Sequence, residues 1–299
     1  MPEIAWKSFG CSVRGASHIR LDKANQDSEY SHQGWVLSDG KIKIPSINAV
    51  SDGHGGDKYI RSAIGSDIAT KLTGKIVEAY KENPLSPEMQ KDDLADIIRH
   101  IKSRYLLSWQ EEIDDHVKQN PFDDSELAFL KDNCSEKDCD SVINNPRSAY
   151  GCTFMCAICY DDIVLVLQLG DGDVLGLYPD DDVRELFEAD PRNVGIETLS
   201  LGSLRNVSDI THKILIDEDI PRLITLTTDG VKNSYNDQTA DIEKFLKIPI
   251  VIKNELVKNN LSTDEVKASI EKWLEKVTTD GAGDDVTIGV VFRDIESGA

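Results

Sequence analysis

Positive charge is scarce in this chain of 299 residues: 33 Lys and Arg stand against 54 Asp and Glu, a formal balance of −21. Nucleic acid and anionic membrane surfaces are therefore poor partners, because both attract basic proteins and repel acidic ones. Long apolar runs are missing as well. Stretches such as Ile163 to Leu169 (IVLVLQL) fall far short of the roughly 18 residues that a membrane span needs. The start, MPEIAWKSFG, lacks a basic segment followed by an apolar one, so no export signal is read and a cytoplasmic, monomeric protein is expected. Cysteine is also sparse, with six in the whole chain, too few for a disulfide scaffold. The run CTFMCAIC invites a zinc reading. It looks instead like a buried strand, with Cys152 and Cys156 on one side and Cys159 on the other, and buried thiols are expected.

What the chain does have is alternation between β-prone and helical segments. WKSFGCSVRG and the region from Ser28 to Gly53 hold short strand-like runs separated by turn residues. From Tyr59 the period changes: Ile60, Ile64, Ile68, Leu72 and Ile76 follow the spacing of a helix with one buried face, placed from about Asp57. Leu94, Ile98, Ile101, Tyr105, Trp109 and Ile113 make a second such stripe. Residues 120–147 are acidic, rich in turn formers and weakly periodic, which reads as a solvated loop with a short helix. A β meander follows, then an irregular stretch at 179–208 long enough for a flap. Further strands come next, a helical region from Gln238 to Lys276 with breaks at Pro249 and Asn259-Asn260, and a last strand, DVTIGVVF. Strands sit before, between and after helical pairs, without the strict alternation of a parallel sheet. One α+β domain over residues 1–299, with antiparallel sheets covered by helices, is the expectation.

Asp-Gly pairs are common in hairpins because both residues tolerate positive φ, and Asp39-Gly40 is read as such a turn. Asp52, Asp171 and Asp229 differ, since each directly follows an apolar strand-like run, and Asp284-Asp285 directly precede one. If those strands are neighbours, their ends gather several carboxylates at one edge. Such groups cannot stay ionised together without cations, and oxygen ligands suit Mg²⁺ or Mn²⁺. A water between two such ions becomes a nucleophile near neutral pH, which points to phosphate ester hydrolysis.

The motifs also occur in the order found in one family. GASHIRLDKANQDSEY, VSDGHGG, GCTFMCAI with LQLGDGDVLGLY, LTTDGVKN and GAGDDVTIGVVF together resemble the type 2C metal-dependent protein serine/threonine phosphatases, in particular their bacterial branch, over nearly the whole chain. The resemblance implies a four-layer α-β-β-α sandwich with two Mg²⁺ or Mn²⁺ ions at one end. Carried over, Asp52 would bridge the ions, the Gly53 carbonyl would bind one, Asp229 and Asp284 the other, and Asp27 would act through metal-bound water. His54 would donate a proton to the leaving oxygen. Phosphorylated proteins would be the substrates, with a serine/threonine kinase as the opposing partner. Three departures matter. The usual phosphate-holding arginine position is Asp22, leaving Arg20 or His18 for that task. Asn233 stands where a third-metal Asp is found, which weakens a third site and leaves Asp171 as its ligand. Gly170-Asp171-Gly172-Asp173 replaces Gly-Asp-Ser-Arg, putting an acid where relatives carry a base. A rival reading is a regulatory module of the same fold that binds phosphoproteins or a kinase; the retained Asp27, Asp52, Asp229 and Asp284 favour the enzyme.

Overall fold

The computed structural model describes residues 6–36, 43–82, 84–188, 190, 198–235 and 239–295. Strand β1 (Lys7–Val13) and the short helix α1 (Ala16–Arg20) lead into β2 (Ser28–His32), β3 (Trp35–Val36), β4 (Lys43–Ile44) and β5 (Ser46–Ser51). Helices α2 (Ser62–Glu78), α3 (Lys91–Gln119), α4 (Asp124–Asn133) and α5 (Glu136–Asn144) follow. Then come β6 (Phe154–Cys159), β7 (Ile163–Leu169), β8 (Asp173–Leu177), β9 (Val183–Glu185), β10 (Thr211–Ile216) and β11 (Leu223–Thr227). Helices α6 (Asp229–Asn233), α7 (Thr239–Leu246), α8 (Ile248–Lys258) and α9 (Thr263–Asp280) precede the final strand β12 (Val286–Phe292).

Two five-stranded antiparallel sheets carry the fold, in the orders β1-β12-β11-β8-β9 and β10-β7-β6-β5-β2, beside a small β3-β4 ribbon. Alternation along β6 shows the layering. Cys156 and Ile158 pack with Leu72, Ile76, Ile98 and Trp109 of the helices, whereas Met155, Ala157 and Cys159 pack with Val174, Ile224, Leu226 and Val291 of the opposite sheet. Cys152 lies on the helix side with Cys156, and all six cysteines are free. On the outer face of the other sheet, Leu175, Leu223, Ile288 and Val290 meet Ile252, Leu256, Ile270 and Leu274 of α8 and α9. Three apolar interlayers thus bind an α-β-β-α sandwich, because every central strand is buried on both faces.

Two local expectations change. Helix α2 begins at Ser62 rather than near Asp57, because the Arg61 N–H donates to Ala149 O (3.0 Å) and leaves the helical ladder. Most of residues 120–147 is helical, as α4 and α5. Asp123 and Glu126 form a reciprocal capping box at the start of α4, and Ser135 caps α5. Each of these helices fully buries one residue, Leu130 and Val142, which explains the weak apolar period. The Asp39-Gly40 turn and part of the 179–208 stretch lie outside the described residues. No helix among the described residues is long and apolar enough to cross a membrane.

Candidate metal centre and active site

Strand register brings the acidic segments to one end of the sandwich. Ser28 pairs with Ser51, Phe154 with Leu169 and Thr227 with Ile288, so Asp27, Asp52, Asp171, Asp229 and Asp284 all emerge at that end. Asp52 is fixed where β5 stops: its N–H donates to Thr153 Oγ1 (2.9 Å), its carbonyl accepts from the Thr153 N–H (2.8 Å), and Ser51 Oγ donates to Thr153 O (2.6 Å). Gly53 comes next because nothing larger fits. A Cβ there would lie 2.6 Å from Gln26 O and 2.8 Å from Ser62 O, whereas at Gly55 it would meet nothing nearer than 3.8 Å. Gly170, at φ 107°, supplies the left-handed turn that presents Asp171, and Thr198 Oγ1 donates to Asp171 Oδ2 (2.8 Å). Asp229 opens α6 and accepts from Asn233 Nδ2 (2.9 Å), so Asn233 serves Asp229 rather than acting as an acid itself.

Asp52, Asp171, Asp229 and Asp284 bound one cavity of about 180 Å³, with His18 and His54 in its wall. Asp52 keeps some solvent contact at the cavity but is otherwise enclosed by protein. Its carboxyl is held well above the usual range, by burial first and then by Asp27, Asp229, Asp284 and Asp171. Asp229 is raised to about 6 by burial, Asp171 and Asp284, partly offset by a hydrogen bond with Asp52. Without cations, then, Asp52 and Asp229 both hold a proton more readily than free carboxyls do. Asp27 lies behind the cavity, 8% exposed, accepting from Thr228 Oγ1 (2.7 Å) and raised by burial and by Asp285.

His54 packs on Tyr59 with ring centroids 4.7 Å apart, and Gln26 Nε2 donates to His54 O (3.1 Å). Its Nε2 is buried without a hydrogen-bond partner, and burial lowers the imidazole to about 4 against the raising effect of Asp171. The two candidates for holding phosphate separate on α1. Two residues along a helix turn about 200°, so with His18 in the cavity wall Arg20 faces water and does not reach the cavity. His18 Nδ1 sits 2.9 Å from Asp285 Oδ2, outside hydrogen-bond geometry, and His18 Nε2 sits 3.7 Å from Asp284 Oδ1.

Asp285 entered the sequence reading only beside Asp284 in an acidic cluster, with no role of its own. It is 3% exposed and accepts from the Gly15 and Gln26 N–H groups, both at 2.6 Å, tying the start of β12 to the segments on either side of α1. Its neighbour Asp284 has a side chain 51% exposed and faces the cavity. Gln26 was seen only as the partner of Asp27 in the first motif, and Thr198 was missed, since it carries no sequence signal.

The donor set suits hard divalent cations: carboxylates from four separate segments, raised pKa values that a cation would reverse, and an orphaned imidazole nitrogen. Among the described residues no three His, Cys, Asp or Glu side chains already close around one point, so binding would have to draw the carboxylates together. A pH signature follows. Asp229 stabilises the metal-free fold fully below its unfolded value of 3.8 and loses that contribution as pH rises through about 6. Chelated protein should lose roughly 2 kcal/mol from this residue between about pH 4 and pH 7, with Asp52 and Asp27 acting in the same direction. Thermal melts in chelator should show the falling midpoint, and excess Mn²⁺ should flatten it. A midpoint at pH 7 that ignores Mn²⁺ would count against cation binding.

The fold, two antiparallel sheets covered by helices, is shared with solved bacterial serine/threonine phosphatases. The serine/threonine phosphatase PstP of Mycobacterium tuberculosis superposes with a TM-score of 0.53 at 15% identity, covering 96% of this chain and 98% of that one. The PstP catalytic domain in complex with two manganese ions gives 0.54 at 16% identity, with coverage of 96% and 97%. A serine/threonine phosphatase of Staphylococcus aureus gives 0.50 at 10% identity, with 98% of both chains covered. No curated protein matches the sequence. The protein phosphatase 2C family model matches residues 14–275, and the chain belongs to that family.

Proposed function

We propose that this protein is a metal-dependent phosphatase that hydrolyses phosphoserine and phosphothreonine esters in proteins. The observation that carries the reading is the cavity in which Asp52, Asp171, Asp229 and Asp284 meet beside His54. Two Mg²⁺ or Mn²⁺ ions held there would polarise the phosphate and supply an activated water near neutral pH. Asp52, Asp229 and Asp284, with the Gly53 carbonyl, are the residues that would hold them, Asp27 would support the set from behind, and Asp171 is available to a further, weaker site. His18 is the better placed of the two candidates for the substrate phosphate.

Cleavage of the P–O bond leaves its electron pair on the serine or threonine oxygen, which must take up a proton. His54 is proposed to supply it. In the free protein its imidazole is neutral at pH 7, so the negative charge of bound phosphate must first raise its affinity for a proton. His54→Gln should therefore slow turnover of a phosphoserine peptide by about 10²-fold, while an aryl phosphate with an acidic phenol leaving group should lose less than about threefold. Equal losses on both substrates would make His54 a positioning residue instead.

The reading as a whole is tested by phosphate release from a phosphothreonine peptide with Mn²⁺, with Mg²⁺ and with chelator. Release that survives chelation would overturn the proposed chemistry. Calorimetry showing no divalent binding at millimolar cation would favour the regulatory phosphoprotein- or kinase-binding module.

A further inference from the structure

A groove of about 580 Å³ adjoins the carboxylate cavity and shares Gln26 and Gly55 with it. Leu21, just after α1, forms one lip, Phe129 of α4 forms the other, and Tyr59 lies between them. Both lips are apolar side chains left open to water: Leu21 is 66% and Phe129 42% exposed. The groove is nearly neutral in a strongly acidic protein. The charge of Glu126 is taken up by Arg61 in two bonds of 2.7 and 2.6 Å, and the remaining charged lining residues, Lys23 and Asp57, have opposite signs. The same Arg61–Glu126 pair fixes α4 against the start of α2, so the far wall is held in place.

We propose that this groove receives an apolar side chain of the protein substrate from within three residues of the phosphorylated serine or threonine. The proposal rests on the phosphatase reading above. Its basis is continuity: a phosphorylated side chain that places its phosphate among the carboxylates leads its own backbone out across Gln26 and Gly55, where the groove begins. An apolar residue there removes Leu21, Phe129 and its own surface from water together, whereas a charged or small residue leaves both lips wet. Substrate choice then depends on α4, in the segment read from sequence as a solvated loop with a short helix.

The test uses phosphoserine peptides that differ only in carrying Leu, Ser or Asp near the phosphoresidue, together with their non-hydrolysable phosphonate counterparts and an aryl phosphate. For the unsubstituted chain, kcat/KM and phosphonate affinity should both favour Leu over Ser or Asp by about tenfold. In Phe129→Ser and in Leu21→Ser, both at exposed positions, that ratio should fall below about threefold. Aryl phosphate turnover with no Leu preference, or a preference that persists in both variants, would overturn the groove and leave the phosphatase reading standing. Failure to hydrolyse any ester, with a Leu preference in phosphonate binding that Phe129→Ser removes, would support the groove and overturn hydrolysis.

Discussion

Asp52→Asn is expected to move two measurements in opposite directions. Metal-dependent phosphate release should fall by about 10³-fold or more, because the amide keeps the shape of the carboxylate but not the charge that would hold two cations. The melting temperature of chelated protein should rise by roughly 2–4 °C, equivalent to about 1 kcal/mol, because one of the carboxylates crowded with Asp27, Asp229, Asp284 and Asp171 no longer contributes repulsion. A residue of purely structural importance would lower both quantities. Release unchanged by the substitution would remove Asp52 from the chemistry, and a lowered melting temperature would mean that its charge is satisfied in the metal-free fold.

Arg61→Ala should be strongly damaging away from the cavity, costing about 3–5 kcal/mol, which corresponds to a fall in melting temperature on the order of 10 °C. Its guanidinium is 7% exposed and directs five hydrogen bonds to five acceptors: the two Glu126 carboxylate oxygens, Asn120 O, Pro121 O and Tyr150 Oη. It also lies over the Phe122 ring at 4.4 Å. Truncation strands a partly buried carboxylate that closes the capping box of α4, so the helix loses its anchor and part of its cap together. Arg61→Lys should recover less than half of the loss, since a single ammonium cannot span Glu126 and the two carbonyls at once. Denaturant unfolding checks both variants, and a loss below about 1 kcal/mol for Arg61→Ala would show that α4 is held by other contacts.

The layers were legible because burial writes a period into the sequence. Ile98, Ile101, Tyr105, Trp109 and Ile113 are all buried on one face of α3, and the opposed faces of β6 separate Cys156 from Cys159 as strand alternation requires. The acidic strand ends were legible because an Asp after a buried apolar run has few other uses. Segment 120–147 was legible only in part: a short helix was expected where two stand, since both are written in caps rather than in apolar spacing. The Asp123–Glu126 and Ser135–Asp138 pairs are the signal that could have found them. Asp285 was harder. Its two N–H donors lie 270 and 259 residues away in sequence, and nothing local separates it from Asp284. Placing His18 in the cavity wall and Arg20 in water likewise needed the rotation of a five-residue helix, which composition does not carry.

Asp52 follows a strand of one sheet and Asp229 follows a strand of the other. A cation held by both would therefore be a rivet between two halves that otherwise meet through apolar side chains and a few hydrogen bonds, such as Asn48 Nδ2 to Phe9 O and Thr228 Oγ1 to Asp27. Pulling the sheets apart would require the ion to leave first, so occupancy should lengthen the lifetime of the folded state as well as deepen its energy well. The rate at which the protein unfolds in strong denaturant, with and without Mn²⁺, then becomes a measure of the centre that needs no substrate.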